Sequence, residues 1–218
     1  MNRTLLIFGC GGHGKVVADT AIAAGFRVLG FADDDPETRA TKTLGFDTIA
    51  IGLDETTRAC VDAKAELVLA IGDNRTRARV FVEARARGLR MATVVHPSAV
   101  LAPSVELGAG SVVFARATVN PDARIGENVI VNTAVSIDHD NVIGAHAHLS
   151  PGAVLGGTVS VGEGAHVGIG ACVRNNTAIG AWTVIGAGAA VVRDIPDGVV
   201  AYGVPARVVR PISSPAGY

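Results

Sequence analysis

The chain has 218 residues, enough for one or two domains with a sizeable buried core. Its formal net charge of −1 gives no electrostatic reason to expect nucleic acid or an anionic membrane as a partner. Aromatic residues make up 4% of the chain and there are 27 glycines, a composition typical of tightly wound β-structure with small inward side chains.

The cysteines and the N-terminal segment bear on the cellular compartment. Cys10, Cys60 and Cys172 are far apart and odd in number, so no disulfide framework is predicted and a reducing compartment is the simpler assumption. The apolar run near the N-terminus, in MNRTLLIFGCGGHG, is too short for a signal peptide or a membrane span. We therefore expect a cytoplasmic protein that does not insert into a membrane.

Strand and helix patterns alternate over roughly the first ninety residues. The buried strand TLLIFG leads into a glycine-rich turn and the helical pattern KVVADTAIAAG, which stops at Gly25. Two further strands, RVLGFADDD and AELVLAIGDN, and a second helix, TRARVFVEARARG, come later in this region. The order predicts a small parallel sheet covered by helices.

From about Val95 the pattern changes to a repeat of six residues. Every sixth position is Leu, Ile or Val over almost a hundred residues, and the next residue is often glycine. The seventeen positions are Val95, Leu101, Leu107, Val113, Val119, Ile125, Val131, Ile137, Ile143, Leu149, Leu155, Val161, Val167, Val173, Ile179, Ile185 and Val191. Such a repeat predicts a parallel β-helix in which three hexads complete one triangular coil of about 18 residues.

Three of the six histidines, His139, His146 and His148, lie close together in the sequence. On an 18-residue coil, His139 points outward near a turn, two places after the inward Ile137. His148 is half a coil away, so the two histidines should not share a site within one chain. His166 should stack one coil above His148. If coils pack side by side in an oligomer, His139 of one chain could face His148 of its neighbour.

Three interpretations of these histidines are open at this point. They could be ordinary surface residues, or metal ligands, which would require three imidazoles converging on one ion. They could also serve acid–base catalysis, because His139 is flanked by Asp138 and Asp140. A carboxylate bound to one ring nitrogen fixes the tautomer and raises the basicity of the other nitrogen.

The glycine-rich turn matches a dinucleotide-binding pattern. The segment GCGGHG, residues 9–14, satisfies G-x-G-x-x-G between a strand and a helix, and Asp33 and Asp34 end the second strand about twenty residues later. Alone, this pattern indicates an NAD(P)-dependent oxidoreductase. However, about ninety residues provide only one mononucleotide-binding half, which opposes that interpretation. Asp33 to Asp35 could also form a solvated turn before Pro36.

The whole chain resembles the NeuD/PglD-type sugar acyltransferases. The resemblance rests on FGCGGHGKVV, FADDD, IGDNRTR, the repeat from VVHPSAV through SIDHDNVIGAHAHLSPGAVLGG, and the closing YGVPARVV. It covers residues 3 to 210 and matches both halves in order. It implies a Rossmann-like domain at residues 1–92 that binds a nucleotide-linked sugar. It also implies a left-handed β-helix at residues 93–210 that binds acetyl-CoA.

The resemblance further implies a homotrimer with active sites between subunits, and roles for individual residues. His139 would be the general base, Asp140 would orient it, and His148 would lie near the acetyl group as a candidate carbonyl hydrogen-bond donor. The family often has Glu where this chain has Asp140. The predicted substrate-binding residues are Gly11, Gly12, His13, Gly14, Asp33, Asp34, Gly72, Asp73 and Asn74. The predicted acetyl-CoA-binding residues are His148, Gly157, Gly168, Ile169, Gly170 and Gly186.

We therefore expect an acetyl-CoA-dependent N-acetyltransferase that acts on a nucleotide-linked 4-amino-4,6-dideoxy sugar in bacterial surface glycan synthesis. Two alternatives remain: an O-acetyltransferase acting on sialic acid or a related sugar hydroxyl, and a nucleotide-sugar-binding scaffold without catalysis. No metal requirement, nucleic-acid partner or membrane insertion is expected. The tail, residues 211–218, has no repeat partner and is expected to be mobile.

Overall fold

The computed structural model describes residues 3–212. The chain forms two compact units, one ending at Pro97 and the other beginning at Ser98. Residues 213–218 of the predicted tail lie outside the described residues, whereas the last strand runs through Pro211.

The first unit is a parallel sheet with helices between its strands. Its elements are β1 (Thr4–Phe8), α1 (Gly12–Ala23), β2 (Arg27–Asp33), a 3-10 helix (Pro36–Ala40), β3 (Lys42–Thr43), β4 (Phe46–Ile51), α2 (Gly52–Ala63), β5 (Glu66–Leu69), α3 (Asn74–Ala86) and β6 (Val94–Val95). The sheet order is β3-β4-β2-β1-β5, with only β3 antiparallel to its neighbour. The predicted parallel sheet is confirmed, and β4 and α2 are elements that the sequence patterns missed.

The core of the first unit follows from its central strand. Four consecutive residues of β1, Leu5 to Phe8, are almost fully buried, as expected for a parallel strand covered on both faces. Because the strands are parallel, the carboxyl ends of β1, β2 and β5 meet at one edge of the sheet. Ligands of open α/β sheets bind at that edge.

The second unit is a coil of short parallel strands. Its strands of two residues are β7 (Val100–Leu101), β8 (Glu106–Leu107), β9 (Val112–Val113), β10 (Thr118–Val119), β11 (Arg124–Ile125), β12 (Ile130–Val131), β13 (Ser136–Ile137), β14 (Val142–Ile143), β15 (His148–Leu149), β16 (Val154–Leu155), β17 (Ser160–Val161), β18 (His166–Val167), β19 (Cys172–Val173), β20 (Ala178–Ile179), β21 (Val184–Ile185) and β22 (Ala190–Val191). The longer β23 (Val199–Gly203) and β24 (Ala206–Pro211) form an antiparallel pair at the end.

Every third strand joins the same sheet, which gives the second unit three faces. The first face holds β7, β10, β13, β16, β19 and β22; the second holds β8, β11, β14, β17 and β20; the third includes β9, β12, β15, β18 and β21, followed by β23 and β24. Partner residues are 18 apart, as in Ile137↔Leu155. The hexad residues from Val113 onward point inward and are nearly fully buried. The predicted parallel β-helix is confirmed.

The glycines that follow the inward aliphatic residues of the repeat allow the coils to stack. They do not supply the turn conformations, because the positive φ angles at the corners lie at other positions. Gly144 illustrates the actual constraint: a Cβ built on it would lie 2.6 Å from the backbone nitrogen of Glu163 in the next coil. These glycines therefore allow neighbouring coils to stack closely.

Within residues 3–212, no helix is both long enough and apolar enough to cross a bilayer.

Candidate active site

The side chains of His139 and Asp140 meet at a corner of the β-helix. Asp140 has φ +58°, a left-handed conformation that Asp adopts more readily than most residues. Neighbouring side chains of an extended strand point apart, but this turn brings them together. His139 Nδ1–H donates to Asp140 Oδ2 at 2.7 Å. The predicted histidine–carboxylate pair is thus present in the geometry that fixes the imidazole tautomer.

A second carboxylate supports the backbone of this corner. Asp138 Oδ1 accepts a hydrogen bond from the His139 backbone N–H at 2.8 Å and another from Asn120 Nδ2 at 2.9 Å. These donors lower the pKa of Asp138, so this side chain stays ionised. The His139 backbone is thereby held in place independently of its ring.

The electrostatics of the pair favour a stronger base. The hydrogen bond to Asp140 raises the pKa of His139 above its ordinary value of 6.5, and the charges of Asp138 and Asp140 act in the same direction. The His139 side chain is 57% exposed, so a reactant can approach it. Because Nδ1 is bound to Asp140, Nε2 is the nitrogen left to accept a proton.

His139 opens into a groove of about 660 Å³ on the second unit. Besides His139, its lining includes Gly157, Cys172 and Arg174. Gly157, predicted to bind acetyl-CoA, lies directly against the His139 ring: a Cβ there would come within 2.6 Å of both Cε1 and Nε2. The glycine is therefore required for the observed position of the imidazole.

His148 lies on a different face from His139, as the half-coil spacing predicted. His139 follows β13 on the first face, whereas His148 is in β15 on the third. The rings of His148 and His166 stack with centroids 4.8 Å apart and planes 11° apart, which confirms their predicted alignment one coil apart. Ser150 Oγ lies 2.7 Å from His166 Nε2. His146 lies at another corner, with Asn128 Nδ2 2.8 Å from its Nδ1.

The hydrogen bonds of His148 define its tautomer. Asn132 Oδ1 accepts from the Thr133 N–H at 2.8 Å, so the Asn132 amide nitrogen faces His148 Nε2 at 3.1 Å and donates to it. Neutral His148 then carries its proton on Nδ1, which is buried. Donation to a carbonyl oxygen, the predicted role of His148, would therefore require this ring to exchange its contact with Asn132.

The other residues predicted to bind acetyl-CoA lie in the later coils of the β-helix. Gly168 stacks against the backbone of Ala187, and Gly186 packs against the Tyr202 side chain, so both have a structural reason to lack a Cβ. Gly170 occupies a corner with φ +64° and has open space around it. Ile169 is 61% exposed, so its aliphatic side chain is accessible to a ligand.

The glycine loop of the first unit combines structural and open positions. A Cβ on Gly14 would collide with the Gly9 carbonyl, whereas Gly11 and Gly12 have open space around them. Gly11 precedes α1 and makes no side-chain cap. The first N–H groups of α1 therefore adjoin space that an anion could fill.

The acidic residues after β2 have two different environments. Asp33 Oδ2 accepts from the Cys10 N–H at 2.9 Å, and Oδ1 accepts from the Asp35 N–H at 3.1 Å. Burial opposes ionisation, but these donors hold the pKa of Asp33 below its ordinary value. Asp34 is exposed and borders a second cavity of about 230 Å³ with Ile51. Only Asp33 is tied to the glycine loop.

The residues after β5 form the start of α3. Asp73 Oδ1 accepts from the Thr76 N–H at 2.8 Å, which makes Asp73 the helix N-cap, and Asn74 is buried. Gly72 has open space around it. The cap gives Asp73 a structural role in addition to any contact with a ligand.

Arg77 is a residue of this region that the sequence patterns did not single out. Its side chain is fully buried, and Nη1 donates to the Ile71 carbonyl at 3.0 Å and to the Gly72 carbonyl at 3.4 Å. Burial lowers the pKa of His13 to about 4, and the Arg77 charge adds to the effect, so His13 is neutral. The sequence of α3 contains several arginines, and no pattern in it indicates which one is buried.

Comparison with known proteins supplies the family. Residues 4–84 match the family model described as the PglD N-terminal domain. The acetyltransferase domain of PglB from Neisseria gonorrhoeae FA1090, solved with acetyl coenzyme A, is 39% identical with a TM-score of 0.89, covering 96% of this chain and 100% of that one. PerB from Caulobacter crescentus, solved with CoA and GDP-perosamine, is 42% identical with a TM-score of 0.88, covering 94% and 97%.

The chain belongs to the NeuD/PglD-type sugar acyltransferases. WeeI from Acinetobacter baumannii AYE, 24% identical with a TM-score of 0.84 over 95% of this chain and 100% of that one, shares the fold. The predicted family, the left-handed β-helix and the assignment as an acetyltransferase are confirmed. The glycine loop is accordingly part of a sugar acyltransferase and not of an NAD(P)-dependent oxidoreductase. Among residues 3–212, no three His, Cys, Asp or Glu side chains are grouped to hold a metal ion.

Proposed function

We propose that this sugar N-acetyltransferase transfers the acetyl group of acetyl-CoA to the amine of a nucleotide-linked 4-amino-4,6-dideoxy sugar, with His139 as general base. The observation that carries the proposal is the 2.7 Å contact between His139 Nδ1 and Asp140 at an open groove. PerB, 42% identical, was solved with CoA and a nucleotide-linked sugar, GDP-perosamine. We place the reaction in the cytoplasm, in the assembly of a bacterial surface glycan.

The reaction follows from the state of His139. The sugar amine attacks the thioester carbonyl carbon, which forms the C–N bond, and collapse of the tetrahedral intermediate breaks the C–S bond. His139 Nε2 removes a proton from the attacking nitrogen, and this proton can pass to the departing CoA thiolate. Asp140 keeps the imidazole in the tautomer with Nε2 free and stabilises the imidazolium that forms.

The second histidine supports a site shared between subunits. His139 and His148 are on different faces of one β-helix, so a site containing both requires two chains. In a homotrimer, His148 of one subunit would lie near the acetyl group bound at His139 of the next. The pantetheine arm would pass Gly157, Gly168, Ile169, Gly170 and Gly186.

The first domain, proposed as residues 1–92, would hold the nucleotide sugar. Open space at Gly11 and Gly12, at the N-terminus of α1, suits a diphosphate. Gly14 supports the turn, and the neutral His13 can hydrogen-bond the phosphate or the sugar. Gly72, Asp73 and Asn74 border the same sheet edge, and Asp33 and Asp34 would contact the nucleoside. The second domain would comprise residues 93–210.

A substrate panel tests the proposal. Thiol release from acetyl-CoA is measured with UDP-, GDP- and dTDP-linked 4-amino-4,6-dideoxy sugars, and with free and CMP-linked sialic acid. Products are then treated with alkaline hydroxylamine, which cleaves acetyl esters and leaves amides intact. We expect a stable product from an amino sugar. A labile product formed only from sialic acid would identify an O-acetyltransferase, and the absence of turnover would favour a binding scaffold.

Subunit complementation tests the shared site. His139→Ala and His148→Ala chains are each expected to be inactive alone. If sites lie between subunits, random co-assembly places one intact histidine of each kind at about a quarter of the seams. Recovery of about a quarter of wild-type activity supports the shared site. No recovery from two inactive parents that demonstrably co-assemble would place both histidines in the same chain's site.

A further inference from the structure

Two arginines lie along the corner of the β-helix that carries His139. Successive coils place Gly157, Asn175 and Arg193 at the positions equivalent to His139, each two residues after an inward aliphatic. Arg174 immediately precedes Asn175 and lines the same groove as His139. Both arginines are exposed. The corner therefore continues from the proposed base toward two cationic side chains.

The distances along the coil axis follow from strand spacing. Neighbouring strands of a sheet lie about 4.8 Å apart. Arg174 is two coils beyond His139, or about 10 Å along the axis, and Arg193 is three coils beyond, or about 14 Å. The arm of CoA between its sulfur and first phosphorus contains about thirteen bonds, the length of about four extended residues or ~14 Å. The extended arm matches the axial distance from His139 to Arg193, whereas Arg174 lies one coil closer to His139 and would reach the phosphates with its long side chain.

The two arginines carry charges that no ion pair in the described part of the chain neutralises. Neither guanidinium has an ion-pair partner among residues 3–212, in contrast to Arg124, which faces Glu106 at 3.8 Å. The neighbouring carboxylate, Asp194, accepts from the Ala178 N–H at 2.8 Å. Arg174 and Arg193 are thus available to an anionic ligand.

The charged residues along this corner differ on the two sides of His139. On the opposite side of His139 along the axis, the equivalent corner carries Asp122, an exposed carboxylate. An anion extending from His139 meets negative charge in that direction and positive charge toward Arg174 and Arg193. The exposed Asp194 beside Arg193 offsets one of the two cations, but the net charge in the second direction stays positive, which favours a ligand that carries phosphates.

We propose that Arg174 and Arg193 bind the phosphate groups of the acyl donor. Their distance from His139 would then favour donors whose arm has the length of that in CoA. This rests on the proposed acetyl-CoA-dependent function. A thioester held at His139 would place its pyrophosphate beside these guanidinium groups, which make charge-assisted hydrogen bonds to phosphate oxygens. Donors without phosphates gain nothing from either residue.

Kinetics with two donors test this site. Arg174→Gln and Arg193→Gln are compared with the wild type and with Arg124→Gln, a matched loss of one exposed positive charge. We expect each to lower kcat/KM for acetyl-CoA about tenfold, through KM, because a hydrogen bond to a charged group contributes on that scale. Turnover of acetyl-pantetheine, which lacks phosphates, should stay unchanged, as should all parameters of Arg124→Gln.

Each other outcome has a defined meaning. Equal losses with both donors, or an unchanged KM for acetyl-CoA, overturn the proposal. A rise in KM for the nucleotide sugar alone would assign the arginines to the phosphates of that substrate and also overturn it. If the wild type turns over neither donor, the proposed function fails. Calorimetric titration with CoA then decides the site separately: about tenfold weaker binding to both glutamine variants supports it, and equal binding refutes it.

Discussion

Replacement of Gly157 by alanine would place a methyl group against the His139 ring. In the present structure a Cβ at this position would lie 2.6 Å from Cε1 and Nε2, whereas ordinary contacts begin at 3.4 Å. The imidazole must therefore move by about 0.8 Å or rotate out of the groove. Displacements of about 1 Å at a reacting group cost on the order of 10² in rate. We predict a fall of that size in kcat for Gly157→Ala.

The same substitution should scarcely affect stability. The His139 side chain is 57% exposed and can move toward solvent, and the φ of Gly157 lies outside the left-handed region. Gly198→Ala is the control, which should lower stability without lowering activity. Gly198 has φ +65° and open space around it, so alanine there should cost about 1 kcal/mol of backbone strain and leave kcat unchanged.

Steady-state kinetics and urea unfolding of both variants provide the assay. The reasoning is refuted if Gly157→Ala retains wild-type kcat, or if its loss of activity is matched by an equal loss of folded protein. A selective rise in KM for acetyl-CoA with kcat unchanged would instead support the predicted contact between Gly157 and the acyl donor.

Three further predictions concern other parts of the chain. Asp140→Asn removes the contact that raises the pKa of His139, so the acidic limb of kcat/KM, where the base becomes protonated, should move to lower pH; an unmoved limb contradicts this. Arg77→Met should lower the free energy of unfolding by about 2–4 kcal/mol because buried carbonyls lose their donor. The exposed, Glu-paired Arg79→Met should change it by less than about 0.5 kcal/mol, and equal effects in urea unfolding would refute the distinction. Ile143→Ala should cost about 2–5 kcal/mol in the same assay, and a change below about 1 kcal/mol would contradict its core position.

The β-helix could be predicted because its repeat is a direct consequence of its geometry. An inward residue recurs every six positions and a coil closes every 18, so the angular positions of His139, His148 and His166 followed from counting. The contact between the His139 and Asp140 side chains could also be predicted, because adjacent side chains that point apart on a strand can converge at a corner. The left-handed backbone of Asp140, with φ +58°, brings the two side chains together.

Sequence patterns could not predict contacts between segments that are distant along the chain. Gly157 reads as one more turn glycine until the ring of His139, one coil earlier, is seen to need its space. Arg77 sits in a helix rich in exposed arginines, and its burial depends on packing that no local period reports. The strand and helix at residues 46–63 were missed because their polar residues obscure the alternating pattern.

The role of His139 is tested most directly by comparing kcat of the wild type and His139→Ala at saturating acetyl-CoA and at saturating concentration of the nucleotide-linked sugar that the substrate panel identifies. The account predicts a loss of about 10²–10⁴ in kcat with little change in either KM, because a general base acts on the transition state. A variant that keeps kcat within about threefold of the wild type would show that another group accepts the proton.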